Sequence, residues 1–164
     1  MTLASHLLTV AARQPDHPAI LWEGAQLSYA GLAEQVRRIA GGLILRPGQR
    51  GAMAMEICPE FLAVLFGIWQ AGLVAVPINA KLHPKEFAWI FGNSGSALGI
   101  ATPGIAAKLE TGLPVISTAS TDYAALVSAE PGFAETVVTE PAWIFSTSGT
   151  TGRPKGALLT HRNL

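Results

Sequence analysis

Apolar residues recur along this chain with two periods, and the periods predict its elements. Leu3, Leu7, Val10 and Ala11 share one helical face, and Thr2 is placed to cap that helix. Two short strands follow at 19–23 and 26–29, and Gly24-Ala25 between them suits a two-residue type II′ turn. Ser28 can cap a second helix, with Leu32, Val36, Ile39 and Leu43 inward and Glu34, Arg37 and Arg38 on a solvated side. Pro47-Gly48 is the expected stop.

The pattern then alternates. A strand is predicted over 51–56. Next comes a helix with Pro59 in its first turn and Glu60 at its positive end. A buried strand over 73–78 leads to a helix that begins at Pro84 and turns Phe87, Ile90 and Phe91 inward. Weaker strands are expected at 97–101 and 114–117, a short helix at 122–128, and a loop over 129–141. Strands alternating with helices define an α/β fold with a largely parallel sheet and flanking helices. A length of 164 residues suits one domain.

The apolar stretch 61–78 holds one strongly polar residue, Gln70, and reaches only the lower limit for a membrane span. Gly72 and Pro77 divide it, so a buried helix–strand unit is expected rather than a transmembrane segment. Residues 1–10 lack the basic start of a signal peptide. Eleven basic and eleven acidic residues balance to zero, with no dense basic run. That argues against nucleic acid and anionic membranes as partners. Cys58 is the single cysteine, so no internal disulfide can form, and a cytoplasmic setting is expected. Its thiol beside Pro59 reads as a small buried filler before it reads as a nucleophile.

The chemistry gathers near the end. Trp143, Ile144 and Phe145 lead into Thr147-Ser148-Gly149-Thr150-Thr151-Gly152-Arg153-Pro154-Lys155-Gly156, and a second apolar run, 157–159, follows. Glycines let a backbone turn its amides toward a polyphosphate, the hydroxyls donate, and Lys155 adds a point charge. The spacing is not that of a Walker A loop, because Pro154 stands where the second glycine would fall. Strand-like runs on both sides predict a β-hairpin loop. A flexible Ser/Thr/Gly linker is the plain alternative.

This string resembles the signature of the adenylate-forming, or AMP-binding acyl-activating, enzymes at every defined position, and Thr160-His161 after it is also typical. Ser146 replaces an aromatic residue common before the motif. The resemblance extends through 27–32, 58–61, 67–72, 76–79 and 82–86, and thins between about 102 and 140.

The resemblance implies that 1–164 is a partial N-terminal AMP-binding domain, phosphate loop at 147–156, of an ATP-dependent acyl-CoA synthetase. The rest of that domain and a C-terminal domain would lie beyond the chain. It further implies that Thr147, Ser148, Gly149, Thr150, Thr151, Gly152 and Lys155 bind the β- and γ-phosphates of ATP. Mg²⁺, coenzyme A and a small carboxylic acid, such as a fatty acid, would be used by the whole enzyme. No catalytic or metal-binding residue is assigned within the chain, which is expected to be inactive alone. Arg153 falls at the variable position, and His161 is expected in a turn or helix entry packing against the loop. Charged residues make up 13% of the chain, about half the usual ~25%, which fits a piece normally covered by a larger enzyme. Two rival readings stay open: a fragment of an adenylation domain that loads a carrier protein, and a short non-catalytic phosphate-binding module that self-associates.

Overall fold

A computed structural model describes residues 1–147 and 155–164. Helix α1 (Leu3–Arg13) starts where Thr2 Oγ1 accepts from the Ser5 amide at 3.3 Å, and it buries Ala4, Leu7 and Ala11. Strands β1 (Pro18–Trp22) and β2 (Ala25–Ser28) pair antiparallel as a separate two-stranded sheet. Trp22 pairs with Ala25, so the turn is Glu23-Gly24, one residue earlier than expected. Both turn residues have positive φ, 48° and 84°, which is the type I′ pattern rather than II′.

Helix α2 (Tyr29–Gly42) is capped by Ser28, whose hydroxyl accepts from the Gly31 amide at 3.2 Å. It ends at Gly42, before the expected Pro47-Gly48 stop, with Leu43 extended. The reason is tertiary. Segment 129–138 crosses the helix end so closely that a Cβ on Gly41 would lie 1.8 Å from the Glu130 carbonyl oxygen.

The main sheet contains β3 (Arg50–Ala54), β4 (Val74–Pro77), β5 (Leu98–Ala101), β6 (Val115–Ser117), β7 (Pro141–Thr147) and β8 (Lys155–Thr160). Their order is β6-β5-β3-β4-β7-β8; every pairing is parallel except the antiparallel β7–β8. The remaining helices are α3 (Pro59–Gln70), α4 (Pro84–Ser94), α5 (Pro103–Ala106) and α6 (Thr121–Ser128). The single-turn α5 is too short to leave a periodic trace, and the sequence did not predict it.

Strand alternation divides the core into two layers. Met53 and Met55 face a cluster built with α1, α2, α3 and α6, while Ala52 and Ala54 face a second cluster with α4 and α5. The apolar stretch 61–78 resolves into α3, a turn at Gly72 with φ 70°, and β4. Among the described residues no helix is long and apolar enough to cross a membrane.

Segment 129–138 is a strap. Gly132 N–H donates to the Arg37 carbonyl and Ala134 N–H to the Gln70 carbonyl, both at 2.9 Å. Arg38 is therefore not simply solvated: it pairs with Glu34 at 2.7 Å and donates to the Ala129 carbonyl at 3.2 Å.

Candidate functional site

The motif sits on a hairpin. Trp143, Ile144, Phe145, Ser146 and Thr147 stand opposite Leu159, Leu158, Ala157, Gly156 and Lys155. This is the strand–loop–strand context expected. The two ends of the motif, Thr147 and Lys155, are thereby brought into one backbone pair. Ser148, Gly149, Thr150, Thr151 and Gly152 lie outside the described residues. Gly156 is needed for packing: a Cβ there would come within 2.9 Å of Ile144 Cγ2.

Beside the hairpin, at the carboxyl ends of β3 and β4, lies a crevice of about 800 Å³. Met55, Phe61, Ile78 and Phe145 give it apolar walls; Glu56 and Lys81 stand at its rim. Topology opens it there. From β3 the chain passes through α3 to β4 on one side, then through α4 to β5 on the other. The two crossovers pack on opposite faces, and in open α/β sheets ligands occupy the gap this reversal leaves at the carboxyl edge.

Hydrogen bonds, most of them between close neighbours in sequence, shape the rim. Asn79 Oδ1 accepts from the Lys81 amide at 3.0 Å. Glu86 accepts from the His83 amide at 2.9 Å, and His83 Nδ1 from the Lys85 amide at 3.3 Å, so both ends of a capping box hold α4 at the crevice. Thr102 Oγ1 accepts from the Glu56 amide at 3.4 Å and donates to its carboxylate at 3.2 Å. The sequence reading did not single out Glu56 or Lys81 as site residues. The available signal was positional: Glu56 is the last residue of one predicted strand and Lys81 follows shortly after the end of another.

Other candidates do not line this crevice. Cys58 is half-buried, and burial, reinforced by Glu60, pushes its thiol above the ordinary value, the opposite of an activated nucleophile. Burial likewise raises the Tyr123 phenol well above its usual range, with Glu60 adding to the effect.

His161 occupies a turn, as expected, but packs elsewhere. Strand β8 carries the chain across the sheet, so His161 sits at the amino edge, 5% exposed. There its Nδ1 accepts from the Leu3 amide at 3.4 Å, and its ring meets Trp69 edge-on at 6.3 Å. Burial lowers its pKa, while the nearby Glu140 carboxylate, which the sequence did not reveal, pulls it back up. Among the described residues no three His, Cys, Asp or Glu side chains gather to hold a metal.

A mostly parallel sheet with a crevice at its carboxyl edge and an antiparallel hairpin beside it define an open α/β domain of the kind that binds ligands at that edge. The chain belongs to the AMP-binding enzyme family, whose profile matches residues 7–164. It is 33% identical to a crotonobetaine/carnitine–CoA ligase of Salmonella paratyphi A, over 91% of this chain and 34% of that protein. It is 36% identical to a feruloyl-CoA synthase of an Amycolatopsis species, over 94% of this chain and 32% of that protein. The solved nonribosomal peptide synthetase FmoA3 superposes with a TM-score of 0.86 at 26% identity, covering 99% of this chain and 17% of that one. The chain thus spans about a third of the length of these curated relatives.

Proposed function

We propose that this chain is the phosphate-holding part, residues 1–164, of the N-terminal domain of an ATP-dependent acyl-CoA ligase. The observation that carries the reading is the hairpin register, which pairs the two ends of the signature, Thr147 and Lys155, beside the carboxyl-edge crevice. A carboxylate oxygen of the acid attacks the α-phosphorus of ATP, the bond to the bridging oxygen breaks, and pyrophosphate leaves. A thiol then displaces AMP from the acyl-adenylate. Thr147, Ser148, Gly149, Thr150, Thr151, Gly152 and Lys155 hold the β- and γ-phosphates and stabilise the charge that grows on the leaving group. Pyrophosphate carries several charges, so a lysine and converging amides act most strongly when the leaving bond stretches. Mg²⁺, when bound, would neutralise part of the same charge on the phosphates.

The named relatives differ in their acids, so the substrate class proposed is a carboxylic acid, without restriction to fatty acids. Coenzyme A is the proposed acceptor because both relatives are CoA ligases. The likeness to a peptide synthetase supports a second reading, in which a carrier-protein thiol accepts the acyl group.

Titrating the chain with pyrophosphate and following ³¹P line positions tests the phosphate site. Saturable binding that weakens about tenfold or more in Lys155→Met is expected, the loss of one charge-assisted contact. Unchanged binding in that variant removes Lys155 from the site. ATP–pyrophosphate exchange by the 164-residue chain is expected to be absent; robust exchange would overturn the view that this part alone does not adenylate.

A further inference from the structure

At the opposite, amino edge of the main sheet lies a second cavity, of about 750 Å³. Its walls are the first turns of α1, the side of α2 at Arg37, the end of α3 at Trp69 and Gln70, and the strap. This is the size of a small-molecule site. It cannot belong to the phosphate hairpin, because the motif lies at the carboxyl end of β7 and this cavity beside the start of that strand. Trp69, which lines it, donates through Nε1 to the carbonyl of Ala142 at 2.7 Å.

Three observations converge on it. Apolar residues normally hidden stand open around it: Met1 is 73% exposed, Phe133 75% and Val137 59%. A cluster of exposed apolar groups about one concavity marks a binding surface. Second, the wall is held in place. The strap is hydrogen-bonded to the Arg37 and Gln70 carbonyls, its Val138 carbonyl accepts from the Arg162 amide at 2.9 Å, and Gly132 lies against Gly41 with no room for a side chain. Third, the lining carries one sign of charge. Arg37 is the one charged side chain among the residues that line it.

We infer that this cavity is a binding site for an amphipathic organic carboxylate, its apolar body against Phe133 and Val137 and its carboxylate on Arg37. The guanidinium of Arg37 presents a planar fork that matches a carboxylate. The site is separate from the proposed ATP site and does not depend on that reading.

The test is a ¹H–¹⁵N titration of the chain with decanoate below its micelle concentration, with decanol as the uncharged control. Saturable shifts are expected at the amides of Leu8, Arg37, Gln70, Phe133 and Val137, with none at Lys81, Ser146 or Phe145. Arg37→Gln is expected to weaken decanoate about tenfold and to leave decanol unchanged. Phe133→Ser, at an exposed position that does not disturb the core, is expected to weaken both ligands. Absence of saturable shifts, shifts at the carboxyl-edge residues instead, or equal affinity for the acid and the alcohol would each overturn the assignment.

Discussion

The two ends of the main sheet are built in different ways. At the carboxyl edge, order comes mostly from close neighbours in sequence, Asn79 with Lys81 and His83 with Lys85 and Glu86, with one longer link between Glu56 and Thr102, 46 residues apart. At the amino edge it comes from distant ones: Trp69 with Ala142, 73 residues apart, and Leu3 with His161, 158 apart. Locally capped loops can ring a site and accept exchange of side chains without unfolding the sheet. Long-range contacts tie helices and strands into one cooperative body. The comparison implies that substitutions at the amino edge cost stability, whereas those at the carboxyl edge cost binding.

The largest effect is expected where the strap crosses α2. A Cβ at position 41 has no space, so Gly41→Val must expel the strap or shift the helix end. A loss of about 3 kcal/mol or more is expected, in the range of severe overpacking. Denaturant unfolding measures it, and a change below about 1 kcal/mol would mean that the strap is loosely held. Lys155→Met is expected to do the reverse, weakening pyrophosphate while leaving the unfolding midpoint in place. A fall in stability without a fall in binding would erase the distinction between the edges.

His161→Ala comes next. It removes a buried ring and the acceptor of the Leu3 amide, with an expected cost of about 1–3 kcal/mol. His161→Asn keeps an acceptor at the Nδ1 position and should recover part of that loss. The same residue sets a pH dependence. Its pKa is lowered in the folded protein, so the unfolded chain binds the extra proton first on acidification. The His161 contribution is therefore fully present above the ordinary value of 6.5 and is lost as pH falls from there toward the lowered folded value. The difference in stability between the native chain and His161→Asn should shrink in that window; a difference independent of pH would remove His161 as its source. The smallest effect is expected at Cys58. Its raised pKa predicts alkylation by iodoacetamide at neutral pH slower than that of a free cysteine. Faster alkylation would identify an activated thiol.

The sequence by itself determined the alternation of strands and helices, the two N-terminal caps at Thr2 and Ser28, the helix start at Pro84, and the hairpin around the Ser/Thr/Gly motif. Each rests on spacing or on contacts within a few residues, and such information survives in a linear string. It missed the type I′ turn at Glu23-Gly24 by one residue, because strand register is set by pairing and not by the glycine alone. It carried α2 too far, because the obstruction at Gly41 comes from residue 130. It sent His161 toward the loop, because only the direction of β8 shows that the chain has crossed to the amino edge by then. The order β6-β5-β3-β4-β7-β8, the crevice it opens beside Glu56 and Lys81, and the second cavity around Arg37 were decided by tertiary structure alone. All three depend on which distant segments become neighbours, and periodicity along the chain holds no record of that.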